Sequence, residues 1–285
     1  MIELQAGETY LLYGKPHVGK TTLALQLMTQ FAKDKNIVYV PTEIYKHTLD
    51  RWTPVFRQSG WGGNLVIQAP INKGWTPEEK LTDLFEMFGD VITVGSVPGK
   101  NKLGEDIYLR SFRVLPDDAL KEKKIGKPHS VIRALALGGE QLFIIDSISA
   151  PVKAVFELAA DLGGNLSPRD TCLSRLLFYI KNLCVDYNAT VVLVDHESRD
   201  PRNPYSKPKP YGPSAFKYLA KYWMLLTQSE AKEYTDIHEL TLTRNIGDRE
   251  YEERYMLRLT DNGFKDMTSE EIAELTKRKK KEDDK

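Results

Sequence analysis

Residues Gly14-Lys15-Pro16-His17-Val18-Gly19-Lys20-Thr21 limit what this chain can fold into more than any other stretch. They satisfy the pattern G-x-x-x-x-G-K-[ST], which needs a strand leading in and a helix leading out. Both are present. Tyr10 to Tyr13 is an apolar run, and Leu23, Ala24, Leu27, Met28 and Phe31 then recur at steps of three and four, an amphipathic helix. Glycines let backbone N–H groups wrap an anion, and the helix N-terminus adds partial positive charge. The candidate phosphate contacts are therefore Gly14, Lys15, Pro16, His17, Val18, Gly19, Lys20, Thr21 and Thr22. Lys20 suits the β- and γ-phosphates of a nucleoside triphosphate, and the Thr21 hydroxyl suits its Mg²⁺.

Composition narrows the setting. A chain of 285 residues can bury a full core, and 40 basic residues balance 40 acidic ones, so no overall field draws it to a polyanion. A nucleic-acid surface must therefore be local. Cys172 and Cys184 fall on one amphipathic helix, about 18 Å apart at 1.5 Å per residue, too far to bridge. No signal peptide or long apolar run is evident, which predicts a soluble, cytoplasmic protein without a membrane partner.

Ile37 to Val40, Leu142 to Ile145 and Thr190 to Val194 read as three further buried strands. The last two flank the helix that carries Cys172, Leu176, Ile180 and Leu183. Continuous apolar strands alternating with helices predict a mostly parallel sheet covered on both faces. The C-terminal part switches to period two. Leu240 and Leu242, then Tyr255, Leu257 and Leu259, flank turn residues 245–248, predicting an antiparallel β-hairpin extension. Residues 1–266 read as one domain. Within it, 60–135 is an elaboration, with a helix from Pro77 to Phe88 behind a Thr76/Glu79 capping box and a strand near Ile107 to Val114. Residues 267–285 read as a charged, frayed tail.

In open α/β sheets, ligands bind at the C-terminal edge of the strands. Asp146 ends the third strand and is placed to organise the metal with Thr21. Glu43 follows the second strand, where a carboxylate can activate the attacking water. His196 ends the fourth, within reach of a γ-phosphate. The segment 197–221 sets six cations against two carboxylates, a net charge of plus four, with five prolines and interleaved tyrosines. Arg199, Arg202, Tyr205, Lys207, Lys209 and Tyr211 there have the composition of a single-stranded nucleic-acid contact, cations for phosphates and rings for bases.

These motifs together resemble the RecA/RadA recombinase superfamily, in particular its short archaeal paralogues of the RadB-like and RadC-like kind. The likeness covers most of the chain outside 60–135. Residues 4–27 are similar to that family's opening strand, loop and helix, and Val38-Tyr39-Val40-Pro41-Thr42-Glu43 to its strand and catalytic glutamate. Phe143-Ile144-Ile145-Asp146-Ser147 resembles its second acidic motif, 155–170 its first DNA-binding loop and the basic segment its second. The resemblance implies a RecA-like P-loop NTPase core, a Mg²⁺-dependent and DNA-stimulated ATPase, and single-stranded DNA, a main recombinase or other repair proteins as partners. It also implies a possible homo-oligomer, in which Arg244 and Arg249 of the hairpin reach a neighbouring subunit's nucleotide.

Two departures qualify this. Asp195-His196 stands where the family usually has Asn-Gln, and the first strand starts within ten residues of Met1, which predicts a core without the family's N-terminal DNA-binding domain. Phe156-Glu157-Leu158-Ala159 has the F-x-x-A form of the family's polymerisation segment but lies in the wrong place. A paralogue that assists or regulates recombination fits better than one that builds filaments. The alternative is a KaiC-like regulatory ATPase that switches protein contacts without nucleic acid. A small-molecule kinase shares the nucleotide motifs but lacks a legible acceptor pocket.

Overall fold

Strands buried on both faces read as continuous apolar runs, and the computed structural model shows where each side chain goes. It describes residues 2–42, 49–68, 76–100, 104, 106–124, 130–161, 167–198, 203, 206–212, 216–229, 234–246 and 249–283. Along β1 (Thr9–Gly14), Leu11 and Tyr13 face one core while Tyr10 and Leu12 face the other. The alternation repeats in β2 (Ile37–Pro41), β6 (Leu142–Asp146) and β7 (Thr190–Ser198). Val38, Val40, Phe143, Ile145, Val191 and Leu193 join the first core, and Ile37, Tyr39, Leu142, Ile144, Val192 and Val194 the second. This is period-two geometry on a sheet with no solvated face. A fully buried leucine such as Leu11 gains about 1.5–3 kcal/mol from leaving water.

The sheet runs β12-β11-β10-β9-β1-β7-β6-β2-β3, where β3 is Leu65–Ile67, β9 Tyr222–Gln228, β10 Ile237–Ile246, β11 Arg249–Thr260 and β12 Gly263–Asp266. From β3 to β9 the pairings are parallel, and from β9 to β12 they are antiparallel. The parallel core with its antiparallel extension is the expected architecture. The chain leaves β1 through α1 (Lys20–Ala32) and re-enters the sheet at β2, three places away. β1 therefore sits where the strand order reverses, the usual position of a ligand crevice.

Helix α1 and α2 (Leu49–Ser59), the latter through Trp52 and Phe56, cover one face. The other is covered by α3 (Pro77–Met87), α5 (Val131–Leu137), α6 (Ala150–Asp161) and α7 (Ser167–Tyr187). Helix α3 has the expected capping box, with Thr76 accepting from the Glu79 N–H while the Glu79 side chain accepts from the Thr76 N–H. Within the elaboration, β4 (Ile92–Lys100) and β5 (Asp106–Val114) form a separate antiparallel hairpin, and α4 (Asp117–Glu122) follows. Ile92, Val94, Phe112 and Val114 pack this hairpin onto the first core.

Two expectations change. The fourth strand does not stop at Val194 but continues to Ser198, because β8 (Lys209–Pro210) folds back and pairs with Glu197 and Ser198. The charged end is not simply a frayed tail: Ser269–Asp283 form α9, whose Leu275 is buried with Tyr234, Ile237 and Met267, with Ile272 packed beside them. The lysine run hid this short apolar stripe. No described helix is long and apolar enough to cross a membrane.

Candidate functional site

The loop between β1 and α1 is held open by close packing. A Cβ on Gly14 would lie 2.2 Å from the carbonyl oxygen of Leu226, and Gly19, at φ 90°, leaves no space beside the Phe264 ring. Larger residues at either position would push the loop off its strand. The α1 helix begins at Lys20, which is 93% buried, and its Nζ donates to the carbonyls of Gly14 (3.1 Å) and Lys15 (2.7 Å). The ammonium thus sits inside the loop, and the positive end of α1 points at the same space. Lys15, Pro16 and His17 are exposed at its rim, Val18 is buried beneath it, and Thr21 and Thr22 are half-buried in the first turn.

Asp146, at the end of β6, accepts from the Thr21 hydroxyl at 2.5 Å and the Tyr39 hydroxyl at 3.1 Å, both on Oδ2. The Asp146 carboxylate is therefore beside the loop that follows β1. Tyr39 was not anticipated, because its contact depends on β2 lying next to β6. Thr42 locks the same edge. Its N–H donates to the Asp146 carbonyl at 2.7 Å and its hydroxyl to the Ser147 carbonyl at 2.6 Å. Glu43, next in the chain, lies outside the described residues.

Asp195 faces the core from β7 and is fully buried. Its Oδ1 accepts from the Ser149 hydroxyl and, at 2.8 Å, from the His196 N–H, while Oδ2 has no hydrogen-bond partner among the described residues. Burial pushes its carboxyl up to about 7, against smaller opposing effects from these hydrogen bonds and from His196 and Lys20. The sequence marked Asp195 only as a departure from a family pattern; its link to Ser149 follows from β6 lying beside β7.

His196 opens onto a groove of about 470 Å³ shared with Pro16 and Thr42. Its carbonyl accepts from the Tyr211 N–H at 2.8 Å, anchoring the middle of the basic segment to the end of β7. Lys153 Nζ lies 5.1 Å and the Arg169 guanidinium 5.2 Å from the Tyr211 ring centroid, within cation–π range. Tyr211 therefore ties the basic segment to α6 and α7. Lys207 and Lys209 are exposed, and Lys207 Nζ is 3.3 Å from Glu252 of β11. Arg199, Arg202 and Tyr205 lie outside the described residues.

Strand register places the hairpin arginines elsewhere. Arg244 pairs with Tyr222, and Tyr222 with Tyr10 near the start of β1, whereas the phosphate loop follows the end of β1. Arg244, stacked 5.3 Å over the Tyr222 ring, is thus at the opposite edge of the sheet. Arg249 pairs with Ile246 at that same edge, and its side chain lies outside the described residues. The F-x-x-A stretch is no docking motif in this arrangement, because Phe156 is buried in the first core. Both cysteines are free thiols, Cys172 buried and Cys184 half-buried.

A search of protein-family models finds no match, and neither does a search of curated proteins. Among solved structures, the chain is similar to the crystal structure of the RadB recombinase, at a TM-score of 0.53 and 17% identity over 92% of both chains. The fold is RecA-like. At that identity the likeness concerns the course of the backbone, a central sheet with the loop after its first strand. Within this RecA-like frame, Lys20, Thr21, Asp146 and His196 all meet at the C-terminal edge of β1, β6 and β7.

Proposed function

We propose that this protein is an ATP-binding and ATP-hydrolysing RecA-like recombinase paralogue that binds single-stranded DNA and assists or regulates homologous recombination and DNA repair in the cytoplasm. The observation that carries the reading is Thr21 donating to Asp146 directly beside the buried Lys20. A hydroxyl and a carboxylate are hard oxygen donors, and they fit Mg²⁺, which takes one or two protein ligands together with phosphate oxygens. Thr21 and Asp146 would hold it, and when bound the ion neutralises charge on the β- and γ-phosphates. Lys20 binds the same phosphates, Glu43 deprotonates the attacking water, and His196 contacts the γ-phosphate from the groove wall.

The segment carrying Arg199, Arg202, Tyr205, Lys207, Lys209 and Tyr211 binds the strand, through phosphates and stacked bases. The Tyr211 bond to the His196 carbonyl gives strand binding a short route to the nucleotide. Arg244 and Arg249 stand at the sheet edge away from their own phosphate loop, so any nucleotide they touch belongs to a neighbouring copy in a homo-oligomer. The test is ATP hydrolysis with and without single-stranded DNA, for wild type and a Lys207→Ala/Lys209→Ala variant. Stimulation that the variant loses is expected. Absent stimulation together with absent salt-dependent DNA binding would overturn the reading in favour of a protein-contact switch without nucleic acid.

A further inference from the structure

The groove beside the phosphate loop is larger than a γ-phosphate and its water require, and the elaboration builds part of it. Three prolines from separate elements line it: Pro16 of the loop, Pro77 at the first turn of α3 and Pro151 at the first turn of α6. Lys80 of α3 and Lys153 of α6 supply cationic walls, and His196 with Glu197, the single carboxylate among the described lining residues, closes the side nearest the nucleotide. Helices α3 and α6 pack on each other through the first core, with Leu81, Leu84 and Phe85 against the layer holding Val152, Val155 and Phe156. The two lysines are therefore set on a rigid frame. Lys153 also reaches over Tyr211, so the groove is continuous with the basic segment.

Rigid apolar walls with ammonium groups at their rim match an amphipathic anion, a flat ring bearing a phosphate. We propose that this groove is a second phosphate-ligand site that takes one nucleotide unit, its phosphate on Lys80 and Lys153 and its base and sugar against the proline walls. Where that unit belongs to a strand, the site deepens the DNA-binding reading and rests on it. It also gives the elaboration a function, since α3 places Lys80 next to the nucleotide edge. A free phosphorylated ligand has the same chemistry, and the experiment separates the two sources.

The probes are fluorescein-labelled oligo(dT) and a fluorescent thymidine monophosphate, with the phosphate loop saturated by ADP. Binding is read by anisotropy across a salt series for wild type, Lys80→Gln/Lys153→Gln and Lys80→Arg/Lys153→Arg, with melting curves to check folding. The site neutralises one phosphate of the strand, which contributes about 0.7 to the salt slope and roughly 5-fold in affinity at 0.1 M salt. Losses of that size in the Gln variant, recovered in the Arg variant, are expected for oligo(dT). If wild type binds only the monophosphate, with the same dependence on the lysines, the groove stands as a site for a free ligand and the strand reading falls. If oligo(dT) binds wild type and the Gln variant with equal affinity and slope, the groove proposal is overturned while the DNA reading survives. Loss that the Arg variant does not recover also overturns it.

Discussion

The parallel half of the sheet and its antiparallel extension use polar residues in opposite ways. In the parallel half, Lys20, Thr42, Asp146, Ser149 and Asp195 are buried and hydrogen-bonded around one edge. In the extension, charges pair at the surface: Arg254 with Glu239 and Glu252, Arg258 with Asp236 and Glu271. Buried polar groups cost stability and persist where geometry serves chemistry, whereas exposed pairs contribute little. The same fold thus holds a polar, specific edge and a tolerant one, joined through the β1–β9 pairing and a shared core.

Lys20→Ala is expected to show the largest effect. It removes the buried cation from the loop, so ATP hydrolysis should fall by about a thousandfold, close to 4 kcal/mol, with melting little changed. A variant that keeps its hydrolysis would break the comparison at its most specific point. Asp195→Asn comes next and acts on stability. Between the ordinary carboxylate value near 3.8 and about 7, the folded chain keeps a proton that the unfolded chain has released. Stability therefore falls as pH rises through that window, and above it the ionised, buried carboxylate is a constant cost. The Asn variant should melt higher than wild type at pH 8, by at most about 4 kcal/mol, with the gap closing toward pH 4. Equal pH dependence in both proteins would remove Asp195 from the account.

Gln26→Ala tests the seam between the two halves. The Gln26 amide donates to the Phe264 carbonyl at 2.6 Å and accepts from its N–H at 2.8 Å, tying α1 to β12. Losing both partners of buried backbone groups should cost about 2–4 kcal/mol in denaturant unfolding. Arg254→Ala should change stability by less than about 0.5 kcal/mol in the same assay, because its pairs are long and its side chain is 65% exposed. A loss above about 1 kcal/mol would show that the extension is as specific as the core.

The parallel half was legible because its signals are local. An apolar run ending on Asp146 and a glycine loop before a helical stripe do not depend on who lies alongside. What the sequence left hidden depends on adjacency. Tyr39 reaches Asp146 only because β2 joins β6, and Ser149 reaches Asp195 only because β6 joins β7. Arg244 carries no local sign of the edge it occupies, and only the antiparallel register of β10 sets it away from its own phosphate loop. Helix α9 was masked by a different effect: its lysine run outweighed Ile272 and Leu275, whose burial needs the Tyr234 and Met267 partners. Lys80 gave no signal because the groove it lines is assembled from five separated stretches.

The most direct test of the central claim is hydrogen exchange read by mass spectrometry with and without ATP and Mg²⁺. The account predicts added protection in peptides covering residues 10–23, 142–150 and 193–198, the edge built by β1, β6 and β7 with the loop and first turn of α1. Peptides covering 237–246 and 249–260 should be unchanged in the monomer. Protection confined to the hairpin, or no change at the loop, would contradict the placement of the nucleotide at the parallel edge.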